Sequence, residues 1–144
     1  MKSLQTAIMT LFNSTTGGAN NSFWTVTNGQ LFYGRAPAGS VFPYAIFFPV
    51  SGIPDNAFVT EYRDRIIQFS NFSDDPESAL EANDMADKCE ALFDGCSLTI
   101  SGQTLVIMEV DNNPGAMAEE NTTVEGTTTI WHAPVDFRVH VKIG

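Results

Sequence analysis

The spacing of apolar residues predicts a helix near the start of the chain and a strand near its end. Apolar residues between Leu4 and Phe12 recur at i, i+4, i+7 and i+8, as on the buried stripe of an amphipathic helix. Between Phe137 and Ile143 every second residue is apolar, while Arg138, His140 and Lys142 point the other way. We therefore expect a helix that docks on a core and a strand with one buried face.

A longer helix is predicted from Pro76 to Phe93. The segment Ser73–Pro76 provides a capping aspartate and a proline at the first helical position. Gly95 is the expected stop. The apolar residues of this segment recur at helical spacing and form one stripe: Ala82, Met85, Ala86, Cys89, Leu92 and Phe93.

Several shorter apolar runs predict strands, at Leu31–Tyr33, Tyr44–Val50, Phe58–Phe72, Leu98–Ile100 and Leu105–Val110. The continuous run Tyr44–Val50 is typical of a strand covered on both faces. Pro49 cannot donate to a ladder, so this strand should end there or lie at an edge. The order of elements predicts one α+β domain over residues 1–144: a mostly antiparallel sheet with an N-terminal helix and one longer amphipathic helix packed on it.

Two polar stretches, at about 13–29 and 111–128, are predicted to be loops. Phe23 and Trp24 are the only large anchors of the first. The second joins two predicted strands, so we expect it to project as a hairpin arm that is flexible in the free protein and ordered against a neighbouring subunit or tube. Its predicted contact residues are Asn112, Asn113, Met117, Glu119 and Glu120.

Charge excludes one broad class of function. The chain has 17 acidic and 7 basic residues and a formal charge of -10, which argues against a nucleic-acid binder because phosphate contacts need clustered Lys and Arg. No apolar stretch approaches the length of a transmembrane helix, so no membrane partner is expected.

The acidic residues are unevenly distributed. Residues 1–54 contain none, whereas the predicted helix and its flanks are crowded with them. The helix lacks the spacing of a calcium-binding loop. The favoured interpretation is therefore a helix face that is simply solvated. A second interpretation remains open, in which the acidic surface repels passing DNA. The predicted acidic surface comprises Glu77, Glu81, Asp84, Asp87 and Glu90.

Candidate catalytic residues are few. His132 and His140, the only histidines, would stand ~26 Å apart on a regular strand, too far to share a metal, and are expected to be exposed. Cys89 falls on the buried helix stripe and Cys96 just beyond it; we expect free thiols, with a disulfide between them as the oxidised alternative. No catalytic, cofactor or metal site is predicted, and no enzymatic activity is expected.

The chain as a whole resembles phage tail completion (tail terminator) proteins. The resemblance rests on the opening helix, on Leu31–Pro37 followed by Phe42–Ile46, and on Ile67–Ser70 before a helix that contains Ala86–Lys88. The closing segments Leu105–Val106 and Val135–Val139 complete it.

This resemblance implies a structural virion subunit made in the host cytoplasm and located in the tail or neck. It implies a hexameric ring of identical copies that joins the tail tube protein to the neck and connector proteins. DNA would pass through the ring without specific binding, and no cofactor would be needed.

Two alternatives remain from the sequence. One is another neck or head-completion (connector) virion protein. The other is a small acidic ligand- or calcium-binding domain with a site near Glu109, Asp111 and Glu119.

Overall fold

The computed structural model describes residues 1–16, 19–55, 62–123 and 126–143, and these residues form the predicted α+β fold. The helices are α1 (Lys2–Phe12), α2 (Ser22–Val26) and α3 (Leu80–Phe93). The strands are β1 (Thr15–Thr16), β2 (Ala19–Asn20), β3 (Leu31–Tyr33), β4 (Tyr44–Asp55), β5 (Tyr62–Ser73), β6 (Thr99–Ile100), β7 (Gln103–Asn112), β8 (Met117–Thr123) and β9 (Gly126–Ile143).

The main sheet has the strand order β3-β4-β5-β9-β7-β6, with β8 paired to β9 off this path. Only β3 and β4 pair in parallel; the other described pairs are antiparallel. Strand β5 pairs with residues 131–142 of β9, and β7 with residues 136–143. Strands β7 and β8 therefore lie end to end along the same side of β9, and the β8–β9 hairpin extends past the end of β5.

The helices bury one face of this sheet. The α1 stripe is confirmed, since Leu4, Ile8 and Phe12 are at most 2% exposed. The alternation in β9 is confirmed as well: its buried residues include Val135, Phe137, Val139 and Val141. Aromatic rings fill the centre of the core, where Phe69 lies 4.7 Å from Phe93 and 5.4 Å from Phe137 between ring centroids.

Helix α3 begins at Leu80, so the prediction of a start at Pro76 with an aspartate cap was wrong. Ser73 belongs instead to β5, and its oxygen accepts a hydrogen bond from the Asp75 N–H (3.2 Å). The Asp75 carboxylate accepts from the Glu77 N–H (3.0 Å). These local side chain-to-backbone bonds compete with helical ones and hold the segment in a non-helical conformation. The stop is confirmed, because Gly95 follows α3 at φ 69.

The first predicted loop, 13–29, contains the short helix α2 among its described residues. The Asn21 side chain accepts from the Trp24 N–H (2.8 Å) as an N-cap and donates to the Phe12 carbonyl (2.8 Å), which ties α2 to the end of α1. Phe23 is buried in the core, which confirms the prediction that it anchors this stretch. Residues 17 and 18 of this stretch lie outside the described residues.

The second predicted loop, 111–128, is largely strand in its described part. Strand β7 continues to Asn112, β8 follows at Met117, and β9 starts at Gly126. Among the described residues of this stretch only the connection 113–116 is irregular, and there the Ala116 N–H donates to Asn83 Oδ1 of α3 (2.8 Å). Threonine is frequent in 121–129, and β-branched residues favour extended backbone, which explains the strands.

The end of strand β4 also differs from the prediction. Strand β4 continues through Pro49 to Asp55, with a register shift between Pro49 and Ser51. The pairing with β3 has ended by that point, so among the described strands this part of β4 pairs with β5 alone and forms an edge. Residues 58–61 of the predicted strand Phe58–Phe72 lie outside the described residues.

Candidate functional site

A row of aromatic rings crosses the sheet on the face opposite the helices. Tyr44 of β4 stacks with Phe42 (centroids 5.0 Å apart) and packs against Phe72 of β5 (5.4 Å). Phe72 in turn stacks on His132 of β9 (4.7 Å). We call Phe42, Tyr44, Phe72 and His132 the aromatic row. All four are half-buried, and burial raises the pKa of Tyr44.

The aromatic row corrects one prediction about β4. Ala45 and Phe47 are fully buried, but the alternate residues Tyr44, Ile46 and Phe48 are only half-buried. The strand is therefore fully covered on one face only, and its second apolar face is partly exposed.

His132 connects the aromatic row to the β8–β9 hairpin. Its Nδ1 hydrogen-bonds Glu119 Oε1 of β8 (3.1 Å), and Met117 lies opposite it in the strand register. Its side chain is 17% exposed, so the expectation of exposed histidines was wrong: the imidazole is stacked on Phe72. Its Nε2 is buried and has no hydrogen-bond partner among the described residues.

A second polar cluster lies on the same face, near the opposite end of β5. Asp64 accepts hydrogen bonds from Arg138 Nη2 (3.0 Å) and from His140 Nδ1, and Tyr62 stacks on His140 with centroids 5.1 Å apart. Burial acts to raise the pKa of Asp64, but the hydrogen bonds and charges of Arg138 and His140 outweigh it, and the pKa is lowered.

The three acids of the alternative calcium site are not brought together. Asp64 raises the pKa of the Arg138 guanidinium, and Glu109 and Asp111 on β7 add a smaller effect of the same sign. Glu119 lies on β8 instead, where it bonds His132. Burial, and secondarily Asp111, raises the pKa of Asp136. Within the described ranges no three His, Cys, Asp or Glu side chains form a group that could hold a metal ion.

The predicted acidic surface is spread along α3 and the segment before it. Glu77 precedes the helix and is exposed, and Asp84 and Asp87 are exposed on it. Glu81 and Glu90 are half-buried, and Glu81 accepts from the Ser73 hydroxyl (2.6 Å). Asp84 pairs with Lys88 at 2.9 Å.

The predicted arm residues divide between two surroundings. Asn113 Nδ2 reaches Asp87 Oδ1 of α3 at 3.5 Å, and Asn112 lies opposite Asp136 at the end of β7. Met117 and Glu119 lie on β8 beside His132, and Glu120 pairs with Thr129 in the hairpin register. The hairpin residues are therefore continuous with the aromatic row, whereas the asparagines contact the body of the protein.

Both cysteines are free thiols in the structure. Burial raises the pKa of Cys89 well above its usual range and that of Cys96 to about 11. Cys96 Sγ lies 3.7 Å from Met108 Sδ. Neither thiol is poised as a nucleophile, because the reactive thiolate is disfavoured at both positions.

None of the helices in the described ranges is both long and apolar enough to cross a bilayer.

Comparisons with known proteins find similarity in structure alone. No protein-family model matches the sequence, and no curated protein matches it significantly. A chain from the solved virion of a native gene transfer agent particle has the same fold, with a TM-score of 0.73, 16% identity, and coverage of 96% of this chain and 94% of that chain. A second solved chain has a TM-score of 0.51 and 14% identity, and the match covers 99% of this chain and 94% of the other. At these identities the likeness shows a shared fold.

Proposed function

We propose that this protein is a structural subunit of a phage-like virion, and more specifically a tail completion (tail terminator) subunit. In this role identical copies form a hexameric ring at the head-proximal end of the tail tube, between the tube protein and the neck proteins. The observation that carries the proposal is the fold shared with a chain of a gene transfer agent virion, which extends over nearly all of both chains.

The surfaces of the molecule suit a protein that works by binding other proteins. The half-buried aromatic row provides apolar contact area, and the adjoining hairpin carries Met117 at 48% exposure. We propose that the arm residues Asn112, Asn113, Met117, Glu119 and Glu120 contact a neighbouring subunit or the tube. The protein performs no catalysis and needs no cofactor in this role.

The acidity of the chain suits a ring through which DNA moves. We propose that the acidic surface, comprising Glu77, Glu81, Asp84, Asp87 and Glu90, faces the path of the DNA. Like charges on the protein and on the phosphates reduce adhesion, so DNA passes without specific binding.

Deletion and complementation in the phage or prophage that encodes the protein test this function. Purified particles from the parent should contain several copies per virion, located at the junction of tail and head by electron microscopy. Deletion should yield heads and tails that fail to join into infectious particles, and the wild-type gene should restore them. Complementation with the Leu80→Ser variant should restore infectious particles as well, because Leu80 is 74% exposed and lies outside the proposed contact residues.

Each alternative predicts a different result. Absence of the protein from purified virions would refute the virion role. Density on the head side of the neck would replace the tail-completion role with that of a head-completion protein. A single copy per particle would refute the ring.

Hydrogen exchange tests the role of the arm. We expect amides of Met117–Thr123 to exchange faster than those of the central part of β9 in the free protein, because β8 pairs with β9 alone among the described strands. In intact virions the same amides should be protected. Equal exchange of this strand in both states would show that the arm is not a contact.

A further inference from the structure

Two strands form open edges of the main sheet at the two ends of the aromatic row. Among the described strands, β3 pairs only with β4, and β8 pairs only with β9. The outer backbone groups of such strands are able to hydrogen-bond a strand from another chain. The row connects these edges, because Phe42 lies at the β3 side and His132, opposite Met117, lies at the β8 side.

The β3 edge is apolar and basic. The segment after β3 folds back beside it, because the Gln30 side-chain amide donates to the carbonyls of Val41 (2.9 Å) and Pro43 (3.0 Å). Val41 is 70% exposed and Tyr33 is 38% exposed. Arg35 is exposed in this segment, and residues 1–54 contain no acidic residue.

The β8 edge is apolar and acidic. Met117 is 48% exposed, and the Glu119 side chain is 53% exposed even though it bonds His132. Glu120 follows in the same strand, and β8 contains no Lys or Arg. Each edge therefore combines an exposed apolar side chain with a charge. The charge is positive at the β3 edge and negative at the β8 edge.

These charges discriminate between the two ways in which identical copies can pair. A symmetric contact between two β8 edges would bring the Glu119 carboxylates of the two copies together, and like charges on facing strands are destabilising. A contact between β8 of one copy and β3 of the next would bring Glu119 near the cation of Arg35. The acids on β8 thus disfavour the symmetric dimer and favour head-to-tail pairing.

We propose that the β8 edge of one copy binds the β3 edge and the 34–41 segment of a second copy of this chain. Such a contact uses two different surfaces, so each copy keeps one free edge after pairing and the assembly grows until it closes as a ring. This inference rests on the proposed ring-forming function and assigns the two surfaces that carry it.

A mixing experiment tests the proposal. One variant, R35E/V41E, reverses the charge of the β3 edge and removes its exposed apolar side chain. A second variant, M117K/E119K, does the same for the β8 edge. Leu80→Glu and Leu80→Lys are controls at an exposed site outside both edges. Far-UV circular dichroism and thermal unfolding confirm that each variant is folded, and sedimentation at up to ~1 mM protein measures association.

We expect the wild type and both controls to form multimers, and each edge variant alone to associate at least about tenfold more weakly. The equimolar mixture of the two edge variants should associate at least to dimers, because each pair retains one intact β8–β3 contact. A wild type that stays monomeric at ~1 mM, or a mixture no more associated than its components, would overturn the proposal. Absence from virions would instead contradict the proposed function and leave a dimer in the mixture intact.

Discussion

The imidazole of His132 lies flat against the ring of Phe72, with centroids 4.7 Å apart and planes inclined by 15°. These residues are 60 positions apart in sequence and meet because Phe72 and His132 face each other in the β5–β9 register. The stack holds the base of the hairpin against the sheet.

Phe72→Ala should lower the free energy of unfolding by about 2–3 kcal/mol, because it removes ring contacts with both Tyr44 and His132. Phe48→Ala is the matched control on the same face, where the ring has no aromatic partner among the described residues. Phe48→Ala should lower the free energy of unfolding by about 0.5–1.5 kcal/mol less than Phe72→Ala does. Urea unfolding measures both, and equal losses would mean that the stacking adds nothing beyond burial.

Gly29→Ala should be strongly destabilising. Gly29 has φ +72, and a Cβ there would lie 2.7 Å from Trp24 Cζ2. Gly34→Ala is the matched control, since Gly34 has φ +84 with open space around it and pays only the backbone strain of about 1–2 kcal/mol. Thermal unfolding should show a larger loss for Gly29→Ala. A loss no greater than that of Gly34→Ala would show that Trp24 moves aside freely.

Asp64→Asn should reduce stability at neutral pH by about 1 kcal/mol, since the pair is partly exposed to solvent. The folded-state pKa of Asp64 is lowered from 3.8, so its contribution is present above that value and is lost as pH falls through the folded pKa. Acid unfolding of the wild type below about pH 4 should therefore be steeper than that of Asp64→Asn. Identical pH profiles would refute the role of the Arg138 and His140 contacts.

Asp136→Asn should change the stability in the opposite direction to Asp64→Asn. The pKa of Asp136 is raised, so its ionised form costs stability in the fold, and acidification through that pKa relieves the cost. The variant should be more stable than the wild type at pH 7, by less than about 1 kcal/mol. Lower stability at pH 7 would show that the carboxylate has a favourable partner.

Cys96 should react slowly with alkylating reagents in the folded protein. A pKa of about 11 in place of 9.0 lowers the thiolate fraction at pH 8 by roughly 100-fold. Labelling followed by mass spectrometry should show slow modification of the native protein and fast modification in denaturant, and Cys96→Ser should leave only the slower, buried Cys89. Rapid labelling of native Cys96 would contradict its burial.

Duplex DNA should not bind the protein even at about 10 mM salt, where screening is weakest. The formal charge of -10 makes approach to phosphates unfavourable. A gel-shift titration is the check. Submicromolar affinity would contradict both this expectation and the proposed passage of DNA without adhesion.

Periodic burial made the main elements predictable from the sequence. The apolar stripe of α1 and the alternation in β9 reflect contacts with one core, and such regular contacts leave a regular pattern. Helix α2 has only five residues, too few to establish a period. The start of α3 was misplaced because two kinds of bond hold the preceding segment out of the helix: the local bonds of Ser73 and Asp75, and the bond from the Trp131 indole, far along the chain, to the Asp75 carbonyl (3.1 Å).

The candidate surface was harder to predict because it depends on strand register. Tyr44, Phe72 and His132 belong to three strands, and no local pattern indicates that they lie side by side. The apolar residues Tyr44, Ile46 and Phe48 indicate in the sequence that β4 has a second apolar face. The sequence does not show whether that face is buried or partly exposed, because a strand buried on both faces has the same pattern.

Strand β9 gives the molecule a direction of mechanical strength. Its 18 residues run from the hairpin into the centre of the sheet, a length of about 60 Å. A pull along the hairpin would load the β5–β9 and β7–β9 ladders in shear, so that many hydrogen bonds must break together. A pull on β3 would instead open three residues one at a time. The ladders along β9 should therefore resist tension better than the three-residue β3–β4 ladder.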